Sequence, residues 1–483
     1  MIKKKTFQLG FTLIELLGII IVLAAIALVT VPIVMNTVES FRGNSIKNSA
    51  YGYIKALEYY VVSARLHDEA INGTFDYQTH KANIQTKGVQ PTNVDLTIAN
   101  GKILNGSMIF DNYVVMISGG EVLEVVKGRD AIYSKSMKIY GVAFNGTTGT
   151  RTDSATGLTF TVNASTITSS FDNAEIYKEI TEVTDTYGNV FVKIPRFYIS
   201  KSKAGANFTY KISKTKQDST YYIPYSFYDE TTNMALSYVL IGKYNASLNG
   251  TKLESKSGSI PLVSQTIATF RTYAKNNNVG MVQGYQLLDI HAIDIIQTLF
   301  YVEFATLNSQ SIMQGYTAAS NTSALLSGTT DSVVTTSGSP TSNTDGKYTM
   351  KYRGIENMYG NIYQFIDGIN IQNNQTYIAT NPSSYVSDTF TGAYKTIGYV
   401  NKNTNGYVTE MGYDSANPAI QLPTVTGTNT YGDYYYQTTS NNIALFGCYW
   451  NRGGCAGLSS WHLAYSSGGP NLSIGSRSLK KAL

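Results

Sequence analysis

A chain of 483 residues with 43% hydrophobic content is long enough for several domains with real cores. Only 14% of residues are charged and the net charge is +5, so the basic stripe of a nucleic-acid binder is missing and no nucleic-acid partner is expected. The 2 Cys (Cys448, Cys455) make no disulfide scaffold, the 4 His (His67, His80, His291, His462) lack metal-ligand spacing, and neither metal nor cofactor is expected.

The chain opens Met1-Ile2-Lys3-Lys4-Lys5, and an apolar run follows from Phe11 to Val34, broken mainly by Glu15, Gly18 and Pro32. As a helix this run spans roughly 36 Å, enough to cross a bilayer, with the lysines left on the cytoplasmic side. A secretory signal carries its small-residue cleavage site after the apolar stretch, whereas Gly10 precedes it. A plain anchor has no use for Glu15, because a carboxylate inside an apolar span costs about 2.5–3.5 kcal/mol on insertion scales. Gly10-Phe11-Thr12-Leu13-Ile14-Glu15 resembles the processing site of the type IV pilins and pseudopilins. That resemblance implies that residues 1–10 are a prepilin leader, and that a prepilin peptidase cuts after Gly10 and methylates Phe11. Glu15 then sits at the family's assembly position, where it meets a neighbouring subunit's terminal ammonium, and Pro32 at the position where the helix bends. The partners implied are the prepilin peptidase, other pilin subunits and, before assembly, the membrane. The location implied is single-pass in the cell membrane, then extracellular on a pilus.

Beyond Pro32, Ile46, Ala50, Tyr53, Ile54, Leu57 and Val61 follow helical spacing, which predicts one helix over 11–65 with its membrane and assembly half at 11–34. Turn signals at Asn72-Gly73, Asn100-Gly101, Asn105-Gly106 and Gly119-Gly120 separate short apolar runs and predict β-hairpins over 66–127. A long helix carrying a small sheet is the pilin architecture.

The rest of the chain is expected to hold a β-rich connecting module over 128–180 and a second domain over 181–483. A helix is predicted from about Gln286 to Leu307, with His291 and Glu303 in structural roles. Residues 317–346, rich in Thr, Ser, Gly and Asn, read as a polar loop or insertion with too little apolar content to pack.

Several phrases in this second part resemble one family: Tyr140-Gly141-Val142, Val192-Lys193-Ile194-Pro195-Arg196-Phe197-Tyr198, Arg353 to Gly368 with Gly360-Asn361 and Phe365, and the ending Ile474-Gly475-Ser476-Arg477. They resemble the C-type-lectin-like domains of phage tail and bacterial surface proteins diversified by retroelements, a fold shared with the formylglycine-generating enzymes. The fold class expected is therefore α+β: a long N-terminal pilin helix with a small β-sheet, then a C-type-lectin-like domain rich in irregular loops. Residues 444–477 resemble the variable region of such lectins, in which scaffold residues alternate with positions randomised at adenines. The resemblance marks Gly360, Asn361, Trp450, Gly457, Trp461, Gly475 and Arg477 as scaffold. It marks Cys448, Tyr449, Asn451, Arg452, Cys455, Leu458, Ser459, His462, Ala464, Tyr465, Asn471 and Ser473 as candidate ligand contacts. Tyr and Trp supply contact area at low entropy cost, and Ser, Asn and Gly supply adaptable hydrogen bonds. The Cys pair is open to a disulfide or a catalytic pairing, with incidental products of diversification favoured.

The expected function is a minor or tip pilin-like adhesin that binds an unknown extracellular ligand and is not an enzyme. Its rivals are a pseudopilin of a secretion or DNA-uptake system, and a membrane-tethered enzyme of the formylglycine-generating type.

Overall fold

The computed structural model describes residues 41–67, 71–118, 120–127, 138–215, 217–218, 220–231, 234–320, 323–428 and 430–483. The expected leader, the apolar run 11–34 and with them Gly10, Phe11, Glu15 and Pro32 lie outside these residues. No helix among the described residues is long and apolar enough to cross a membrane. The described chain is mostly β-sheet with few helices, and it divides into two units, Met1–Tyr133 and Ser134–Leu483.

In the first unit, residues 41–66 are helical. Ile46, Ala50, Tyr53, Ile54, Leu57 and Val61 form its buried face, because three- and four-residue spacing stacks them along one side. They share a core with Val94, Leu96 and Ile98, which alternate inward on strand Asn93–Ala99, and with Met108, Phe110, Tyr113 and Val115. The sheet runs Gly73–Thr74, Asn93–Ala99, Lys102–Phe110, Tyr113–Ser118, Glu121–Lys127, each strand antiparallel to the next. Asn100 and Gly101 both take positive φ, 53° and 79°, as a two-residue hairpin turn requires. Asn105-Gly106 is no turn: it lies within strand Lys102–Phe110. There Gly106 has φ 146°, and a Cβ would stand 2.0 Å from the Asp95 carbonyl oxygen, so the glycine serves close strand approach instead of chain reversal.

In the second unit the boundary expected at 180 does not separate modules. Strands Ile139–Asn145 and Thr148–Asp153 share a sheet with Tyr198–Ala204 and Asn207–Ser213, and Phe160–Val162 and Thr166–Ser169 share one with Ser337–Gly338, Lys351–Tyr352 and Ile355–Glu356. Pairing across the chain, not sequence proximity, defines the unit. Another sheet places the last strand, Ser478–Lys481, between Tyr238–Gly242 and Tyr285–Leu287. The predicted helix is shorter than expected, Ile290–Phe304, because 285–287 pair in that sheet and Asp289 caps the helix by accepting from the Ala292 amide. All of its residues are buried, His291 and Glu303 included, and Glu303 pairs with Arg353 at 2.5 Å.

The described part of the polar stretch 317–346 is held in the fold, with Thr317, Thr330, Ser337 and Asn343 buried. Its backbone is held by buried polar side chains: Glu356 accepts from the amides of Gly328 and Thr330, and Asn361 accepts from that of Leu325. Hydrogen bonds replace the apolar contacts that its composition lacks.

Among the described residues the largest sheet has nine strands. Its centre is Tyr363–Gln372, Asn442–Phe446, Trp461–Tyr465 and Tyr434–Gln437, continuing to Gly406–Met411 and Pro423–Gly427. Ile474–Gly475 joins parallel to the start of Tyr363–Gln372. Helix Ile267–Lys275 covers part of one face, with Phe270 against Phe365 at 5.6 Å, and Ile443 and Leu445 in the same core.

Candidate functional site

Where that helix cover ends, the same face is open. Leu445 and Ile474 line its base, and Tyr363, Tyr436, Tyr449, Arg452, His462, Tyr465, Asn471 and Ser473 surround it. The cavity volume is ≈ 110 Å³. At about 10–15 Å³ per water that is room for a handful of waters or one side-chain-sized group, well below a drug-sized ligand site.

Local geometry explains why these side chains converge. Leu445 pairs with His462 but Ile443 pairs with Tyr465, so the strand Trp461–Tyr465 carries one extra residue. That β-bulge lets His462 and Tyr465 reach the same cavity, although strict alternation would send them to opposite faces. Tyr436 is register partner to His462 in the parallel neighbour strand, and their rings stack with centroids 5.1 Å apart. The row continues through Tyr434, 4.7 Å from Tyr436, to Tyr407 at 5.1 Å. On the other side His462 meets Tyr363 edge-on at 5.5 Å, and Tyr363 meets Tyr449 at 5.4 Å. The Arg452 guanidinium lies over both Tyr449 and Tyr436, 5.3 and 5.9 Å from their centroids.

Burial pushes the His462 imidazole down to about 4, and Arg452 adds to the effect, so the ring is neutral near neutral pH. Burial also pushes the Tyr436 hydroxyl up to about 12. The site therefore presents aromatic faces, one guanidinium, a neutral imidazole and the Asn471 and Ser473 hydrogen-bonding groups, with no carboxylate in its lining. Among the described residues no group of three His, Cys, Asp or Glu is placed to hold a metal.

Of the expected contacts, Tyr449, Arg452, His462, Tyr465, Asn471 and Ser473 are brought together here. Cys448, Leu458 and Ser459 lie outside the cavity lining, each with 0% exposure. Cys448 packs in the core that the sheet shares with helix Ile267–Lys275 and donates its thiol to Tyr363 Oη at 3.4 Å. The Leu458 amide donates to Ser309 Oγ, and the Ser459 hydroxyl bonds Tyr301 Oη at 2.6 Å. Asn451 is exposed, and Cys455 and Ala464 are half-buried, all outside the cavity lining. Both cysteines are free thiols. Burial pushes the Cys448 thiol up to about 12, which suppresses the thiolate that nucleophilic chemistry needs.

The expected scaffold residues carry structural work. Trp450 and Trp461 are buried, and Arg477 donates to Gln364 Oε1 and to the carbonyls of Gly242, Lys243, Glu356 and Asn357. Gly457 has φ 150°, and a Cβ there would stand 2.1 Å from Asp433 Oδ1. Gly360 crowds the Tyr316 carbonyl, Gly475 crowds that of Leu262, and the Asn361 amide donates to Tyr316 O. Tyr363 and Tyr436 also line the cavity, although the resemblance marks neither. The run Tyr434-Tyr435-Tyr436 was the available signal for the latter, since alternation buries Tyr435 and leaves its two neighbours on the other face.

No family model matches the chain, and no curated protein matches it. Among solved structures it is similar to the Major Tropism Determinant M1 variant, at 10% identity and TM-score 0.27 over 86% of this chain and 87% of that one. It is also similar to the U1 variant, at 11% identity and TM-score 0.24 over 78% and 81%, and to the I1 variant, at 11% and 0.24 over 81% and 85%.

Proposed function

We propose that this chain is a surface-displayed binding protein: a minor, tip-located pilin-like adhesin whose second unit is a lectin-like domain that holds a variable extracellular ligand at the Tyr–Arg–His cavity. The single observation behind the binding role is the makeup of that cavity. Rigid aromatic side chains on a sheet, one guanidinium and small polar groups are what recognition surfaces use, because few rotamers are lost on contact. The small volume favours one protruding group of a larger partner over a free small molecule. The enclosed Cys448 thiol supports binding over thiol chemistry.

The pilin part of the proposal rests on Gly10–Glu15, with the membrane, the prepilin peptidase and other pilin subunits as partners. A tip or low-copy position follows from size, since a cargo like Ser134–Leu483 on every subunit would crowd a filament. Diversification of codons within 444–477 belongs to the same proposal.

The test is binding of the chain to bacterial and host-cell surfaces, with Tyr436→Ala and Arg452→Ala beside the wild type. Each substitution is expected to weaken binding at least tenfold, about 1.4 kcal/mol, with thermal stability little changed. Surface binding that both variants leave intact would place recognition elsewhere.

A further inference from the structure

A buried pair outside the cavity lining suggests covalent chemistry. Lys201, mid-strand in Tyr198–Ala204, places Nζ 2.5 Å from Oδ1 of Asp294 on helix Ile290–Phe304, and both side chains have 0% exposure. Among the described residues it is the one lysine–carboxylate ion pair with both side chains fully enclosed. The Lys481–Glu230 pair keeps a carboxylate that is 15% exposed. The other enclosed pairs, Arg353–Glu303 and Arg271–Asp367, use a guanidinium, which stays charged and is not a nucleophile.

The surroundings of Lys201 and Asp294 are organised. Tyr222 Oη donates to Asp294 Oδ2 at 2.9 Å, and Thr298 Oγ1 donates to Oδ1 at 3.3 Å. Gln421 Oε1 accepts from Lys201 Nζ at 2.8 Å, and the Tyr210 ring centroid lies 5.5 Å from that nitrogen. Tyr210 packs in turn on Phe144 and Tyr301. Enclosure of this kind penalises both charges: burial lowers the lysine's proton affinity and raises that of the aspartate, both towards a neutral amine beside a neutral acid.

We propose that Lys201 and Asp294 condense to an intramolecular amide that cross-links the strand to the helix. A proton passes from the ammonium to Oδ1, the oxygen facing it, leaving a neutral amine and a carboxylic acid. The Nζ lone pair attacks Cγ while Tyr222 polarises the Cγ–Oδ2 bond. The N–Cγ bond forms, the Cγ–Oδ1 bond breaks, and Oδ1 leaves as water with its own proton and one from the nitrogen. No oxidant or co-reactant is needed. Oδ2 remains as the amide oxygen under the Tyr222 hydrogen bond, and the one N–H left on Nζ has Gln421 Oε1 as its acceptor. The driving force is the removal of two desolvated charges from an aromatic interior, with water released to bulk. The cross-link closes a long loop, which restricts the unfolded chain.

The test is mass spectrometry of the full-length chain purified under denaturing conditions. Proteolytic digestion is expected to yield a branched peptide that joins the segments containing Lys201 and Asp294, lighter by one water than their sum. The intact wild type is expected to show the same deficit relative to a Lys201→Met/Asp294→Leu double variant, once the residue masses are corrected. The digest of the wild type needs no variant to fold. Separate linear peptides carrying unmodified Lys201 and Asp294 would overturn the proposal, as would a water deficit mapped to other residues.

Discussion

His462 shows how one residue ties the site to pH. Its ring is enclosed between Tyr436 and Tyr363, and its folded-state pKa is depressed from 6.5 to about 4. Below the unfolded-state value the unfolded chain binds a proton that the folded chain resists. Stability from this group is therefore complete above 6.5 and is lost as the pH falls towards 4. At about 1.4 kcal/mol per pH unit, the drop from 6.5 to about 4 makes the loss roughly 3 kcal/mol. Urea denaturation of the wild type and His462→Gln across this range is expected to show the wild type losing that much relative to the variant. Parallel pH curves for the two would show that the ring does not resist protonation. At the same scale, Cys448, Leu458 and Ser459, expected as contacts, are buried away from the cavity for a shared reason. Their residue types suit a variable surface, but each faces inward between elements distant in the chain, which local sequence does not reveal.

At the scale of elements, pattern was most legible where one face alone is buried. The spacing of Ile46, Ala50, Tyr53, Ile54, Leu57 and Val61 marked the helix face that packs, because helical periodicity is local. Leu57 has 0% exposure, so Leu57→Ala is expected to cost about 2–5 kcal/mol, measured by denaturant unfolding of the first unit's signal. A change within experimental error would mean that the helix face is not packed on the sheet. The turn at Asn100-Gly101 was legible for the same local reason, whereas Asn105-Gly106 was not. A glycine that permits close strand approach and one that reverses the chain have the same sequence signature. The bulge in Trp461–Tyr465 was equally hidden, since it exists only relative to its partner strand.

For the molecule as a whole, the second unit closes with its final strand. Ser478–Lys481 fills the gap between Tyr238–Gly242 and Tyr285–Leu287, and Lys481 also donates to the Tyr228 carbonyl at 2.7 Å. Ending the chain after Arg477 is expected to expose two strand edges at once and abolish cooperative unfolding of this unit, with rapid proteolysis beyond residue 134. A truncated chain that kept its cooperative transition would show that the strand is dispensable. By itself the sequence determined the amphipathic helix, most of the hairpin run behind it and the aromatic-rich stretch near the end. These are readable because each depends on residues a few positions apart. Only the tertiary structure decided that residues 139–169 belong with 198–213 and 337–356, and that Tyr363 and Tyr436 complete a cavity with Tyr449 through Ser473. It also decided that Lys201 faces Asp294. Strand adjacency, register and enclosure arise between segments far apart in the chain, and no local periodicity encodes them.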